Sequence, residues 1–137
     1  MFKLTKIIGA RTNVPEPTYI NIDGKTPYNA DCYYFFAEGQ IATYPVNDDD
    51  LKFIPLETVP ANSGKTKLLG YFVTANMIFE TKIYGDHNAV KVGDTLMPHF
   101  DETKHLCGVE AESGCDAKLI SKNEVATSNK VLVVLAW

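Results

Sequence analysis

The sequence predicts an all-β fold: a single-domain β-barrel or β-sandwich of about eight or nine short antiparallel strands over residues 1–137. Runs rich in Val, Ile, Tyr and Phe recur at intervals of roughly 8–15 residues, a spacing typical of barrels and sandwiches. Turn dipeptides such as Asp23-Gly24 separate these runs, and no stretch has the periodicity of an amphipathic helix. The apolar run 131–137 is rich in valine, which favours a strand covered on both faces.

The bulk composition narrows the classes of partner and compartment. Hydrophobic residues make up 45% of the chain and charged residues 22%, which argues against global disorder. The net charge of −4 provides no basic surface, so neither nucleic acid nor a membrane is expected as a partner. Three cysteines are a small, odd set for a secreted disulfide scaffold and favour free thiols in a reducing compartment. Lysines alternate through the N-terminal segment, which predicts a strand and no export signal.

The N-terminal half predicts strands joined by proline- and glycine-containing turns. Phe2 and Leu4 lie on one face of the first strand, which should be the core face. Residues 11–18 contain closely spaced prolines and predict an extended connector, either a loop on its own domain or an arm that reaches a neighbouring subunit.

The clearest hairpin has strands at 31–37 and 40–44 around the turn Glu38-Gly39. The first of these strands carries four consecutive aromatic residues, which place two rings on each face. We expect one pair of rings to enter the core and the other pair to cover a loop or contact a partner.

The C-terminal half predicts strands that continue to the last residue. These strands are expected at 67–73, 76–84, 89–96, 106–111, 117–121 and 131–137. In the strand 76–84 one face is distinctly more polar than the other, which indicates a half-exposed sheet. Residues 97–104 show no strand pattern.

One region is dense in side chains that bind metals: His99, His105, Cys107 and Cys115. Four nitrogen and sulfur ligands can hold Zn²⁺ tetrahedrally, but zinc sites usually include a close pair such as Cys-x-x-Cys, which is missing here. We therefore prefer an exposed histidine loop beside two buried thiols, and assign neither a metal nor a cofactor. Cys107 with a histidine and Asp101 has the residue types of a nucleophilic site but no local signature. No catalytic residue is assigned, and the chain is not expected to be an enzyme.

The order of features after residue 85 resembles a known family. Val90-Lys91-Val92-Gly93-Asp94-Thr95-Leu96 matches a "V-x-x-G-D-x-L" strand entry; a polar loop, two short strands at 106–111 and 117–120, and a valine-rich closing strand follow. This pattern is similar to the small β-barrel decoration (cement) and auxiliary head proteins of tailed bacteriophages. The resemblance implies a structural virion protein, made in the host cytoplasm, that binds the outer surface of the major capsid protein lattice and stabilises contacts between capsomers.

In that role the chain would act in many copies, and a homo-oligomer is one expected form. The candidate contacts are the proline-containing segment and the aromatic hairpin, represented by Val14, Pro15, Pro17, Tyr33, Tyr34, Phe35 and Phe36.

Two alternatives from other classes stay open. The first is a barrel that binds a small molecule or glycan in a pocket lined by Tyr33, Phe35, Tyr71 and Trp137. The second is a zinc- or thiol-dependent enzyme that uses the region from His99 to Cys115.

Overall fold

The computed structural model describes residues 2–7, 16–45, 47, 50–74, 77–102, 105–114, 116–122 and 129–134. Over these ranges the chain is all-β, as predicted, with eleven strands and one short 3-10 helix at His87–Ala89. The strands are β1 (Lys3–Ile7), β2 (Thr18–Asn21), β3 (Tyr34–Ala37), β4 (Gln40–Ala42), β5 (Leu51–Pro55), β6 (Lys67–Phe72), β7 (Met77–Tyr84), β8 (Thr95–Phe100), β9 (Leu106–Ser113), β10 (Ala117–Lys122) and β11 (Lys130–Val134). The expected number, eight or nine, was too low; β5 is one strand that was not predicted, because it is short, contains a lysine and ends in proline.

Five strands form a closed barrel in the order β7-β11-β10-β8-β9, and β1 pairs with the first half of β7. The barrel closes through a parallel pairing in which Ile83 of β7 lies opposite Val109 of β9. The barrel is therefore mixed, and the expectation of wholly antiparallel strands was wrong. The parallel pair arises because β7 and β9 are not consecutive: the 3-10 helix and β8 lie between them and reverse the chain direction an extra time.

The other five strands form a second, antiparallel sheet in the order β2-β6-β5-β3-β4. Its β3–β4 hairpin turns at Glu38-Gly39, where both residues have positive φ (52° and 78°), as a two-residue hairpin turn requires. Ala37 lies opposite Gln40 across this turn, so the predicted hairpin is confirmed.

The hydrophobic core is built on both faces of the second sheet. One face carries Tyr33, Phe35 and Ile54, which pack with the residues inside the barrel. The opposite face carries Tyr34 and Phe53, which pack in a separate cluster beneath the segments that connect the strands. The aromatic run thus divides between the two faces of the sheet, as its alternation predicted, and each face packs in a cluster of its own.

The first and last strands occupy the positions that their patterns indicated. Phe2 is buried in the barrel core and Leu4 packs against it. In β11, Val131 and Val133 are buried in the same core, and the strand lies between β7 and β10. Residues 135–137 of the predicted closing strand lie outside the described residues.

The strand expected at 89–96 is displaced along the chain. Ala89 ends the 3-10 helix, and Gly93 has a φ of 97°, which breaks an extended strand at this point. The Asp94 carboxylate accepts a hydrogen bond from the Lys91 N–H at 2.8 Å, which stabilises the bend. The strand instead begins at Thr95 and runs through residues 97–100, where no strand was predicted. Proline is tolerated in this strand because Pro98 falls at an irregular position of the β8–β9 pairing.

A partly buried polar contact joins the second sheet to the barrel. The Tyr33 hydroxyl donates to the Asp116 carboxylate, whose other oxygen lies 3.3 Å from Lys52 Nζ. Burial, followed by the nearby Asp116 charge, raises the pKa of Tyr33 well above its ordinary value. Tyr33 therefore stays a neutral hydrogen-bond donor over the physiological pH range.

None of the helical structure in the described ranges is long and apolar enough to cross a membrane.

Candidate functional site

The loop between β8 and β9 is closed by its own polar groups. The Asp101 N–H donates to the His105 carbonyl at 2.9 Å, and the His105 N–H donates to Asp101 Oδ1, also at 2.9 Å. The flanking residues Phe100 and Leu106 are paired across the two strands. These bonds hold the Asp101 carboxylate and the His105 ring on one short, closed loop.

The residues before β3 meet the start of β9 next to this loop. The Tyr33 N–H donates to the Leu106 carbonyl at 2.9 Å, which forms an isolated bridge between the two sheets. Next to this antiparallel bridge, where they lie opposite each other, Cys32 and Cys107 form a disulfide that links positions 75 residues apart. The expectation that these cysteines are free thiols was wrong for this pair, because a sequence cannot show that two cysteines so far apart become neighbours.

We call the group formed by Cys32, Asp101, His105 and Cys107 the cysteine cluster. Asp101 Oδ2 lies 3.4 Å from the Cys107 sulfur and 4.0 Å from the Cys32 sulfur. One ligand atom each from Cys32, Asp101 and His105 all lie within 4.8 Å of one another. Both sulfurs belong to buried residues, whereas Asp101 and His105 are half-buried. The cluster therefore combines a buried sulfur pair with a carboxylate and an imidazole that reach toward solvent.

Tyr34 orients the histidine of the cysteine cluster. Its hydroxyl lies 3.3 Å from His105 Nδ1, and the two rings meet edge to face with centroids 5.4 Å apart. The same hydroxyl accepts a hydrogen bond from the Asn29 N–H at 2.9 Å. Burial raises the pKa of Tyr34 to about 12, so the phenol is neutral at physiological pH and holds the imidazole without adding a charge.

The predicted metal set and the observed cluster overlap only in part. His105 and Cys107 come together, but His99 lies elsewhere: its Nδ1 is 2.5 Å from Glu110 Oε1 and its ring stacks on Tyr84 at 3.5 Å. Cys115 lies outside the described residues. Sequence reasoning missed Cys32, since only the contact between the two sheets brings it to the loop.

The outer face of the second sheet carries a second feature. Phe36 lies between its cross-strand partners Ile41 and Leu51, and its ring contacts that of Phe72 at 5.2 Å. Leu51 is 51% exposed, and the other three side chains are partly buried. We call these four residues the apolar row.

A groove of about 400 Å³ lies beside the apolar row, between the turn after β2 and the tip of the β3–β4 hairpin. It is lined by Asn21, Ile22, Asp23, Tyr28, Gly39, Gln40 and Ile41. The Asp23 carboxylate accepts hydrogen bonds from the N–H groups of Lys25 and Thr26, which lower its pKa to about 2. The groove therefore carries a fixed negative charge at one end.

The predicted contact residues occupy different environments. Tyr33, Tyr34 and Phe35 are buried within the chain and so are unavailable to a partner in this structure, whereas Phe36 is partly exposed. Pro17 is exposed, and Val14 and Pro15 lie outside the described residues. Of the residues predicted to line a ligand pocket, Tyr33 and Phe35 belong to the barrel core, Tyr71 is half-buried, and Trp137 lies outside the described residues.

No protein family, curated protein or solved structure matches this chain.

Proposed function

We propose that this chain is a non-enzymatic structural virion protein that binds the outer surface of a tailed-phage capsid lattice and stabilises contacts between capsomers. The observation that carries the proposal is the apolar row, in which aromatic and aliphatic side chains lie side by side and partly exposed. Aromatic residues with neighbouring aliphatic ones are the usual anchors of protein interfaces. The order of strands and turns after residue 85, which resembles phage decoration proteins, supports the choice of partner.

The apolar row extends a core that the chain itself covers only in part. Beneath the connecting segments, Tyr34 and Phe53 are fully buried in the second cluster, together with Tyr28 and Val59 from those segments. Phe36 lies two residues after Tyr34, and its partner Leu51 lies two residues before Phe53, so both are on the same face as the buried pair but are partly exposed. A flat partner surface placed on this face removes the row from water without any change in the barrel.

The proposal is tested with capsids assembled from the major capsid protein of the genome that encodes the chain. The purified chain should sediment with these capsids in a saturable manner. Leu51→Asp should weaken this binding at least about 10-fold, since a charge at an interface core costs more than 1.4 kcal/mol. Val92→Asp is the matched control, because Val92 is a similarly exposed aliphatic residue (60%) in the turn before β8. Equal binding by both variants, or a genome that encodes no capsid protein, would refute the proposal.

The groove beside the apolar row favours a second candidate, a module that binds a small polar ligand such as a glycan. Its lining combines amide and carboxylate side chains with the Tyr28 ring, a combination typical of sugar sites. Saturable binding on a glycan array that is lost in Gln40→Ala and kept in Leu51→Asp would support this candidate over capsid binding.

A further inference from the structure

We propose that the cysteine cluster, once its disulfide is reduced, binds one Zn²⁺ ion. The ligands are two thiolates, one carboxylate oxygen and one imidazole nitrogen, supplied by Cys32, Cys107, Asp101 and His105. This proposal is distinct from capsid binding because none of its ligands belongs to the apolar row, although Phe36, Ile41 and Phe72 pack against the buried cluster that contains both cysteines.

The ligand atoms already have nearly the spacing that zinc requires. Zinc bonds of about 2.0–2.3 Å place neighbouring ligands of a tetrahedron about 3.3–3.8 Å apart. Asp101 Oδ2 lies 3.4 Å from the Cys107 sulfur and 4.0 Å from that of Cys32, and the His105 nitrogen is within 4.8 Å of Cys32 and Asp101. To admit an ion, the two bonded sulfurs must part and the His105 ring must approach Cys107, which is not in the group of ligand atoms that lie within 4.8 Å of one another.

The position of Asp101 suits this chemistry. Its Oδ2 faces both sulfurs, so the carboxylate is placed to share an ion with the two thiolates. A thiol can donate to this oxygen, and a zinc ion can bind it together with both thiolates. The second carboxylate oxygen is held by the His105 N–H, which fixes the group in this orientation.

The remaining features of the site also suit zinc. Soft thiolates select zinc over magnesium or calcium, which prefer sites made of oxygen ligands. The Tyr34 hydroxyl holds His105 Nδ1, which leaves Nε2 as the nitrogen that would bind the ion; metal-bound histidines usually have such a partner on their other nitrogen. Asp101 and His105 are half-buried, so the ion has a path from solvent, whereas both cysteines are buried.

Binding requires reduction of the disulfide first. Two molecules of a low-molecular-weight thiol such as glutathione supply two electrons and two protons, which convert the bond between Cys32 and Cys107 into two thiols and leave one glutathione disulfide. Zinc then replaces the two thiol protons, which are released to solvent. The oxidised chain lacks thiolates and does not form the site.

The test uses the full chain in oxidised form and after reduction by a phosphine, titrated with Co²⁺ or with Zn²⁺ against a chromophoric chelator. The reduced chain should bind one ion, and its cobalt form should show thiolate-to-cobalt charge transfer and the visible bands of a tetrahedral ion. The oxidised chain should show neither. Failure of the reduced chain to bind zinc would overturn the proposal.

Variants separate this ligand set from the one that the sequence suggested. His105→Asn and Cys32→Ser should each weaken zinc binding at least about 100-fold, because even the loss of groups that only support a ligand costs 10–100-fold. His99→Asn and Cys115→Ser are the matched controls and should bind as the parent does. Loss of binding in the controls but not in His105→Asn would overturn the assignment. His105 is half-buried on a loop, so this variant tests the site even if Cys32→Ser does not fold.

Discussion

Removal of the Cys32–Cys107 disulfide should cost this protein a large share of its stability. The bond closes a loop with a sequence separation of 75 residues. In the chain-entropy description, a loop of this size restricts the unfolded state by about 15 cal/mol/K, which corresponds to about 4.5 kcal/mol at 25 °C. Small domains are stable by only about 5–15 kcal/mol, so the double variant Cys32→Ala/Cys107→Ala should fold only marginally.

The assay is urea denaturation of the oxidised parent and the double variant in metal-free buffer, followed by circular dichroism. With a denaturant dependence of about 2 kcal/mol/M, the midpoint should fall by roughly 2 M. Cys115→Ala serves as control: addition of reductant should still lower its midpoint as it lowers that of the parent. Equal midpoints for the parent and the double variant would refute the reasoning, as would detection of three free thiols in the unreduced chain.

Two further predictions concern the second sheet. Burial raises the pKa of Tyr33 well above 10 and that of Tyr34 to about 12. In the unfolded chain both phenols ionise near pH 10. The stability that the two buried neutral phenols contribute is therefore fully present below that pH and is lost as the pH rises toward and beyond 12. Urea midpoints should therefore fall across this range, and less steeply in Tyr33→Phe; identical slopes would contradict the assigned cause. Gly70→Ala places a Cβ 2.3 Å from a carbonyl oxygen of β5 and should cost about 1–3 kcal/mol or more in the free energy of unfolding. Gly39→Ala meets nothing within 4 Å and should cost only about 1 kcal/mol for its positive φ, so an equal cost in the two variants would argue against a clash at Gly70.

Local patterns predicted much of the fold, because they record which face of a strand meets the core. The alternation in residues 76–84 correctly placed β7, and the turn at Glu38-Gly39 correctly placed the β3–β4 hairpin. The two-sided division of the aromatic run was also correct, since successive strand side chains always point to opposite faces.

The prediction was wrong where pairing, rather than local preference, decides the structure. Residues 97–100 look irregular because of Pro98, but they form part of β8 because β9 pairs with the strand as far as Phe100, while β10 pairs with its first two residues. The parallel closure through Ile83 and Val109 has no local signature, because a parallel pair joins strands that are distant along the chain.

The candidate zinc site shows the same division. The sequence by itself determined that His105 and Cys107 lie two residues apart around the start of one strand, and that Asp101 is close by along the chain. Only the tertiary structure decided that Cys32 joins them and that His99 turns instead to Glu110 and Tyr84. The reason is physical: a strand pattern encodes which side chains are buried, whereas the packing of one sheet against another determines which buried side chains become neighbours.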